Sequence, residues 1–409
     1  MGTSTIAPID RAAIEKVLLP FGDSHTLPGE AYSSQDVFTW EKRHFFEGSW
    51  VCVGRSDDLA SPGDRRAVQV GAESVLLVRD DHGRLRAFFN VCRHRGHELS
   101  EVGHCANERV IKCPYHAWVY GLDGSLRGAP RFSHRPSFDR SDYPLVDVAI
   151  AAWHGWVFVN ASSDAPTFEE HVGSLAGFIA GHETERLRRG ARHDYVIEAN
   201  WKIITENYHE CYHCSQIHPE LCRVSPPDSG YNVSPNGAWA GGSMDLMDDA
   251  ETMSLDGESH GVTLRGLDPK KRREVLYFGL FPNLLISLHP DYVMTHRIEP
   301  LGPGRSRIEC EWLFPPEALA REGFDASYAA DFWDITNRED WGACEAVQRG
   351  TASRGFRQGP LAAAEDAVYD FETIVANGYL GRPLRPADRS RGQLGPEQAD
   401  ELTGSQASL

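Results

Sequence analysis

The sequence predicts an α+β protein: a small all-β domain followed by a larger domain in which helices pack on a twisted antiparallel sheet. Three observations predict it. From Trp50 to about Asn160, short alternating segments such as Val68-Gln69-Val70, Val75-Leu76-Leu77-Val78 and Trp156-Val157-Phe158-Val159 are separated by Gly, Asp and Pro turns. Residues 284–288, 292–298 and 307–312 read as antiparallel strands. Two helical patterns then follow, over 326–349 and 361–377.

Taken in order, residues 12–47 read as mostly helical, and 1–45 form an N-terminal helical segment of the larger domain. Residues 46–160 are the β domain, and 161–385 the larger domain. The latter opens with a helix over 167–187 and a strand over 195–201 that leads into another helix. From Val224 to about His260 the composition shifts to Gly, Ser, Asp and Pro, and three of the five methionines (Met244, Met247, Met253) sit there. Residues 386–409 are polar, contain Pro and Gly, and read as a flexible tail.

The chain has 409 residues, with 41 Lys and Arg against 59 Asp and Glu, a net charge of −18. That balance excludes the basic footprint of a nucleic-acid binder. The most apolar run, 275–288, is broken by Gly279, Pro282 and Asn283, so no membrane span is expected. Residues 1–30 lack a charged-then-apolar leader. Nine cysteines show no paired framework, which fits free thiols in the cytoplasm.

Cys92-Arg93-His94 is followed after eighteen residues by Cys113-Pro114-Tyr115-His116. Each loop offers one thiolate and one imidazole. A Rieske [2Fe-2S] centre needs this set, two Cys on one iron and two His on the other. A structural zinc site is the alternative, but zinc spacing pairs Cys with Cys and His with His. Residues 87–91 read as a strand delivering the first loop. Asp123-Gly124 reads as a hairpin turn behind the second.

A second constellation follows Trp201. On one continuous helix, Glu206, Glu210, His213 and Ile217 share a face. His213 and His218 stand about 140° apart on such a helix, so they meet one metal only where it bends or ends. Two His and one carboxylate with open positions form the facial triad of non-haem Fe(II) oxygenases. His209-Glu210-Cys211-Tyr212-His213 also matches H-E-x-x-H, the zinc-metalloprotease signature.

Asn90-Val91-Cys92-Arg93-His94-Arg95-Gly96, Cys113-Pro114-Tyr115-His116-Ala117-Trp118 and Asn200-Trp201-Lys202…Glu206-Asn207…Glu210-Cys211-Tyr212-His213…His218-Pro219 together resemble the catalytic α subunits of Rieske non-haem iron oxygenases. The resemblance spans roughly residues 30–380. It implies a Rieske domain joined to a helix-grip catalytic domain, assembled as a homotrimer. It implies a [2Fe-2S] cluster on Cys92, His94, Cys113 and His116, and mononuclear Fe(II) on His213, His218 and a later Asp. In the stretch Asn337-Arg338-Glu339-Asp340-Trp341 that Asp is Asp340, with Glu339 and Asp334 as weaker alternatives. Glu210 falls on the acid that bridges the iron's His to a cluster His of the neighbouring subunit, and Asn207 falls beside the iron.

Glu at position 210 resembles the branch acting on choline, glycine betaine and related betaines. The implied reaction uses O2 and electrons from NAD(P)H, delivered by a separate flavin/iron–sulfur reductase, since no dinucleotide or flavin fingerprint is visible here. Hydroxylation of an N-methyl group gives a carbinolamine that loses formaldehyde. Aromatic-ring hydroxylation is the alternative. A quaternary ammonium needs an aromatic cage. Trp239, Tyr277, Phe278, Phe281 and Tyr292 are the candidates, with the Met-rich 228–260 stretch as a lid.

Overall fold

The computed structural model describes residues 5–162 and 165–389. The tail reading from 390 onward lies outside the described residues. Three short helices open the chain: α1 (Arg11–Val17), α2 (Glu30–Ser33) and α3 (Gln35–Glu41), the last continuing into a wider π-type turn at Lys42–Glu47. The expected helical run is interrupted over 18–29, where Pro20 and Pro28 lack a backbone donor.

Ten strands follow: β1 (Val51–Arg55), β2 (Asp64–Val70), β3 (Glu73–Arg79), β4 (Leu85–Phe89), β5 (Cys105–Asn107), β6 (Ile111–Lys112), β7 (Val119–Tyr120), β8 (Leu126–Gly128), β9 (Ala149–Trp153) and β10 (Trp156–Asn160). They form three small antiparallel sheets, ordered β1-β10-β9, β4-β3-β2-β5 and β6-β7-β8. The Asp123-Gly124 turn joins β7 to β8, with Tyr120 opposite Leu126 and Gly124 at φ 81°. Leu76, Val78, Phe88, Trp118 and Tyr120 fill the core between these sheets. Each such side chain buried contributes about 1.5–3 kcal/mol, enough to hold the loops above it rigid.

The helix expected over 167–187 divides into α4 (Phe168–Val172) and α5 (Leu175–Ile179), because Gly173 takes φ 49° between them. The chain continues through β11 (Arg188–Ile197), α6 (Trp201–Tyr208), α7 (Cys214–Ile217), α8 (Pro219–Val224), β12 (Tyr231–Asn232) and β13 (Trp239–Asp245). Next come β14 (Glu274–Leu280), β15 (Leu284–Leu288), β16 (Val293–Gly302), β17 (Arg305–Phe314), α9 (Pro316–Leu319), α10 (Ser327–Thr351) and α11 (Asp366–Tyr379). One seven-stranded antiparallel sheet, β11-β17-β16-β15-β14-β13-β12, carries this half. α6 packs against α10, α11 and β16.

β13 lies inside the Gly/Ser/Asp-rich stretch that reads as irregular in the sequence. Of its methionines, Met244 and Met253 are buried and Met247 packs against the same core. Apolar contact on one sheet face outweighs the loop-like composition around it.

α6 begins at Asn200, whose side chain accepts the Lys202 N–H. It buries Trp201, Ile203 and Ile204. Lys202 is also buried, and its ammonium lies 2.7 Å from Glu41, both side chains fully enclosed. Glu41 accepts further from Trp201 Nε1 (2.9 Å) and the Tyr379 hydroxyl. These bonds tie α3, α6 and α11 together, and breaking a buried pair from one side costs about 3–5 kcal/mol. At the other end, Arg389 pairs with Asp366 and Asp370. The first residues of the expected flexible tail, 386–389, are therefore docked on α11.

Candidate functional site

Two loops of the β half bring Cys92, His94, Cys113 and His116 together. The Gly96 N–H donates to the Cys92 carbonyl (3.0 Å) and the Ala117 N–H to the Cys113 carbonyl (3.1 Å). Gly96 has φ 72° and Ala117 φ 58°. The two loops are thus the same turn built twice, each closed by a left-handed residue four positions after its cysteine. Both thiols are buried and unbridged. Cys92 Sγ lies 3.2 Å from the Tyr120 hydroxyl, which also accepts the Arg93 N–H. The His94 and His116 rings stand 4.7 Å apart, and His94 stacks on Trp118 at 4.9 Å. His94 Nδ1 is buried with no protein partner. Two enclosed sulfurs, two adjacent imidazoles and an orphaned ring nitrogen fit a Rieske [2Fe-2S] cluster.

The second constellation depends on where α6 stops. The helix ends at Tyr208, earlier than the bend or end between His213 and His218 that the spacing of the two histidines requires. Tyr, His and Cys are poor helix formers, and the Glu210 carboxylate takes the His213 backbone N–H at 3.1 Å. The H-E-x-x-H geometry, which needs His209 and His213 one turn apart on a helix, is therefore absent. His209 instead caps α6, packs beside Gly279 and Phe371, and burial pushes its pKa down to about 3. Glycine at 279 is required there, since a Cβ would collide with the His209 ring. The same turn pairs Cys211 with Cys214 in a disulfide, which corrects the expectation of unpaired cysteines.

The irregular turn and the short α7 bring His213 and His218 together edge to face, ring centroids 5.1 Å apart at 73°. Asp340 Oδ1 lies 2.9 Å from His218 Nε2 and 3.4 Å from His213 Nε2. His213 Nδ1 meets Glu210 and His218 Nδ1 meets Glu339 at 2.8 Å. Carboxylates only accept, so both Nδ1 atoms carry protons, and both Nε2 atoms converge with Asp340, where a metal would displace their protons and take the lone pairs. Burial opposes charge on His213, yet hydrogen bonds to Asp340 and Glu210 lift its pKa to about 9. Burial raises Asp340, and the two imidazoles more than reverse this. Two imidazoles and a carboxylate at one point are the donor set of a facial-triad iron site.

Of the weaker alternatives, Glu339 orients His218 from behind. Asp334 points elsewhere, accepting from the Tyr195 hydroxyl and pairing with Arg338. Asn207 Nδ2 lies 3.5 Å from His213 Nε2.

A cavity of about 860 Å³ opens beside these donors. Of the five expected pocket aromatics only Tyr277 lines it. Strand alternation explains Phe278. Tyr277 faces the cavity, and Phe278, one residue on, faces the opposite core with Trp239, rings 5.6 Å apart. Phe281 packs on Phe45 and Trp201, and Tyr292 is enclosed with its hydroxyl on the Met253 carbonyl. Tyr208, Tyr212, Tyr231 and Trp333 also line the cavity, and of these Tyr208 and Trp333 pack on the Tyr277 ring. Tyr208 and Tyr277 centroids are 5.9 Å apart at 74°, Tyr277 and Trp333 6.4 Å apart at 68°. The Tyr208 hydroxyl bonds Ser287, Trp333 Nε1 donates to Tyr292, and the Tyr277 hydroxyl is buried. Their polar ends are thus turned away from the cavity.

The sequence carries a signal for Trp333 that composition hides. Trp333, Thr336 and Asp340 stand at i, i+3 and i+7 on α10, so all three share the cavity face.

Residues 49–139 match the Rieske [2Fe-2S] domain family, and residues 184–380 match the ring hydroxylating alpha subunit (catalytic domain) family. The chain is 32% identical to the carnitine monooxygenase oxygenase subunit of Escherichia coli K12 over 369 residues, covering 87% of this chain and 94% of that one. It is 29% identical to the glycine betaine monooxygenase oxygenase subunit of Chromohalobacter salexigens, covering 88% and 86%. The solved structure of the quaternary ammonium Rieske monooxygenase CntA in complex with L-carnitine superposes with a TM-score of 0.72 at 27% identity, covering 91% of this chain and 99% of CntA. No helix among the described residues is long and apolar enough to cross a membrane. With the cluster loops, the convergent His, His and Asp, and a shared architecture over nine-tenths of its length, this chain belongs to the Rieske non-haem iron oxygenases, as an oxygenase α subunit carrying a [2Fe-2S] cluster and a mononuclear iron.

Proposed function

We propose that this subunit hydroxylates an N-methyl group of a betaine or other quaternary ammonium compound, releasing formaldehyde and the demethylated amine. The single observation that carries the reading is the corner of Tyr208, Tyr277 and Trp333. The Tyr208 and Trp333 rings stand steeply to Tyr277, at 74° and 68°, their polar ends bond behind them, and the Tyr277 hydroxyl is buried. A cation seated against such faces gains about 2 kcal/mol when desolvated.

In this reading Cys92, His94, Cys113 and His116 hold the cluster, and His213, His218 and Asp340 hold the iron. When bound, these groups supply one-electron storage and O2 activation. The chain's residues do the rest. Glu210 and Glu339 fix the imidazole tautomers by accepting from Nδ1, and Asn207 stands beside the His213 donor nitrogen. The aromatic corner turns a methyl group toward the donors. The reaction balances as O2, two electrons and two protons with the N-methyl compound, giving the N-hydroxymethyl product and water. The N-hydroxymethyl product then loses formaldehyde and a proton without further help.

Electrons come from NAD(P)H through a separate flavin/iron–sulfur reductase. The working unit is a homotrimer, in which a cluster histidine of one subunit approaches Glu210 of the next. Within one chain, no hydrogen bond or ring contact among the described residues links the two histidine sets. A cytoplasmic setting suits the five cysteines, Cys52, Cys105, Cys222, Cys310 and Cys344, that neither bind the cluster nor form the disulfide.

Formaldehyde released in step with consumption of a quaternary ammonium, using a surrogate reductase, is the expected result. A hydroxylated arene with no ammonium turnover would replace this reading by aromatic-ring hydroxylation. Trp333→Ala should raise KM for the ammonium substrate roughly thirty-fold, about 2 kcal/mol, with a smaller change in kcat. Trp333→Phe should restore most of it, because the π face returns without the indole N–H.

A further inference from the structure

We infer that the cavity selects an ammonium monocation carrying no carboxylate, such as an N-methylated amino alcohol, over a zwitterionic betaine. The inference rests on the quaternary-ammonium reading above and narrows it. Its first ground is the aromatic corner, which recognises positive charge and offers nothing to an anion.

The second ground is the charge on the cavity wall apart from the two iron-binding histidines. Glu210, Asp340, Asp228 and Asp366 line it, and none of the described lining residues is Arg or Lys. Glu210 and Asp340 are committed to the imidazoles. Asp228 is exposed, and no hydrogen bond or ion pair among the described residues engages it. Asp366 pairs with Arg389, but that same guanidinium also grips Asp370. One cation there serves two carboxylates, so the cluster retains negative character.

Two of the neutral donors are already engaged, while the Tyr277 and Ser243 hydroxyls are buried and carry no formal charge to pair a carboxylate. The Asn232 amide bonds Asp366, and the Thr336 hydroxyl donates to the Phe332 carbonyl at 3.2 Å. A substrate carboxylate seated at the ammonium corner, away from the iron ligands, would shed water, meet no Arg or Lys and face carboxylates of its own sign. Unpaired buried charge and like-charge contact both discriminate strongly against a ligand. A hydroxyl carries neither penalty.

Calorimetric titration of the iron-loaded full-length protein tests this with three probes: choline, glycine betaine and the uncharged isostere 3,3-dimethylbutan-1-ol. Choline is expected to bind at least about tenfold tighter than either of the others. Glycine betaine binding as tightly as choline overturns the charge selection and leaves the ammonium reading standing. The isostere matching choline removes the cation-binding role of the rings, and the ammonium reading falls with it. Asp366→Asn takes one negative charge from the wall and loosens Arg389 towards the cavity. It should narrow the choline-to-betaine ratio by about tenfold, through tighter betaine binding. An unchanged ratio overturns the part assigned to Asp366.

Discussion

Glu210→Gln leaves the iron content and the electron paramagnetic resonance of the reduced cluster unchanged, while turnover falls by about 100-fold. The argument lies in the acceptor count. Glu210 already takes the His213 backbone N–H on one oxygen and His213 Nδ1 on the other. Each carboxylate oxygen keeps a second lone pair, so a further N–H from outside can still be accepted. Gln keeps one acceptor oxygen and presents an NH2 group on the other side, which repels any incoming imidazole N–H. That one oxygen can keep His213 Nδ1–H and so hold the ring, at the loss of the bond to the His213 backbone N–H, while the proposed link to a neighbouring subunit is lost. Stopped-flow reoxidation of the reduced cluster, with substrate and O2 present, reads this directly. A reoxidation rate equal to that of the parent protein would strip Glu210 of its bridging part.

Asp340→Ala abolishes turnover and removes the mononuclear iron, while the cluster and its visible spectrum remain. Asp340 supplies the only carboxylate oxygen that reaches both Nε2 atoms among the described contacts. Without it two neutral imidazoles remain, one of them held 3.5 Å from an amide, and a dication loses its charge partner. Glu339 cannot substitute, because its carboxylate sits behind His218 on Nδ1. Iron counted by mass spectrometry, set against cluster absorbance, separates the two sites. Full iron retention would move the third ligand away from Asp340.

Some of this was legible in the chain and some was not, for physical reasons. The ligand loops were legible because coordination chemistry restricts both residue type and spacing: Cys92 with His94, and Cys113 with His116, admit few readings. Strands that alternate in apolar character, such as Val75–Val78, were legible for the same kind of reason. The end of α6 at Tyr208 was not. Periodicity through Glu206, Glu210 and His213 describes a helix that a single side-chain-to-backbone bond at Glu210 interrupts. That bond also brings Cys211 to Cys214, a pairing invisible without the turn. The pocket failed differently. Trp239 and Phe278 were chosen for being aromatic, but the face a strand residue takes depends on register, and both point into the core. Trp333 was reachable by helical period from Asp340.

That shared face of α10 has a metric consequence. Seven residues of helix separate Trp333 from Asp340, a rise of about 10.5 Å. An α-helix hardly stretches, so grip and reaction point cannot drift apart. The site behaves as a caliper whose opening is set by a count of residues. A molecule whose methyl group lies too near the ring, or too far from it, is held without being attacked. One residue inserted between the jaws would swing Trp333 through about 100° and leave nothing for the caliper to close on.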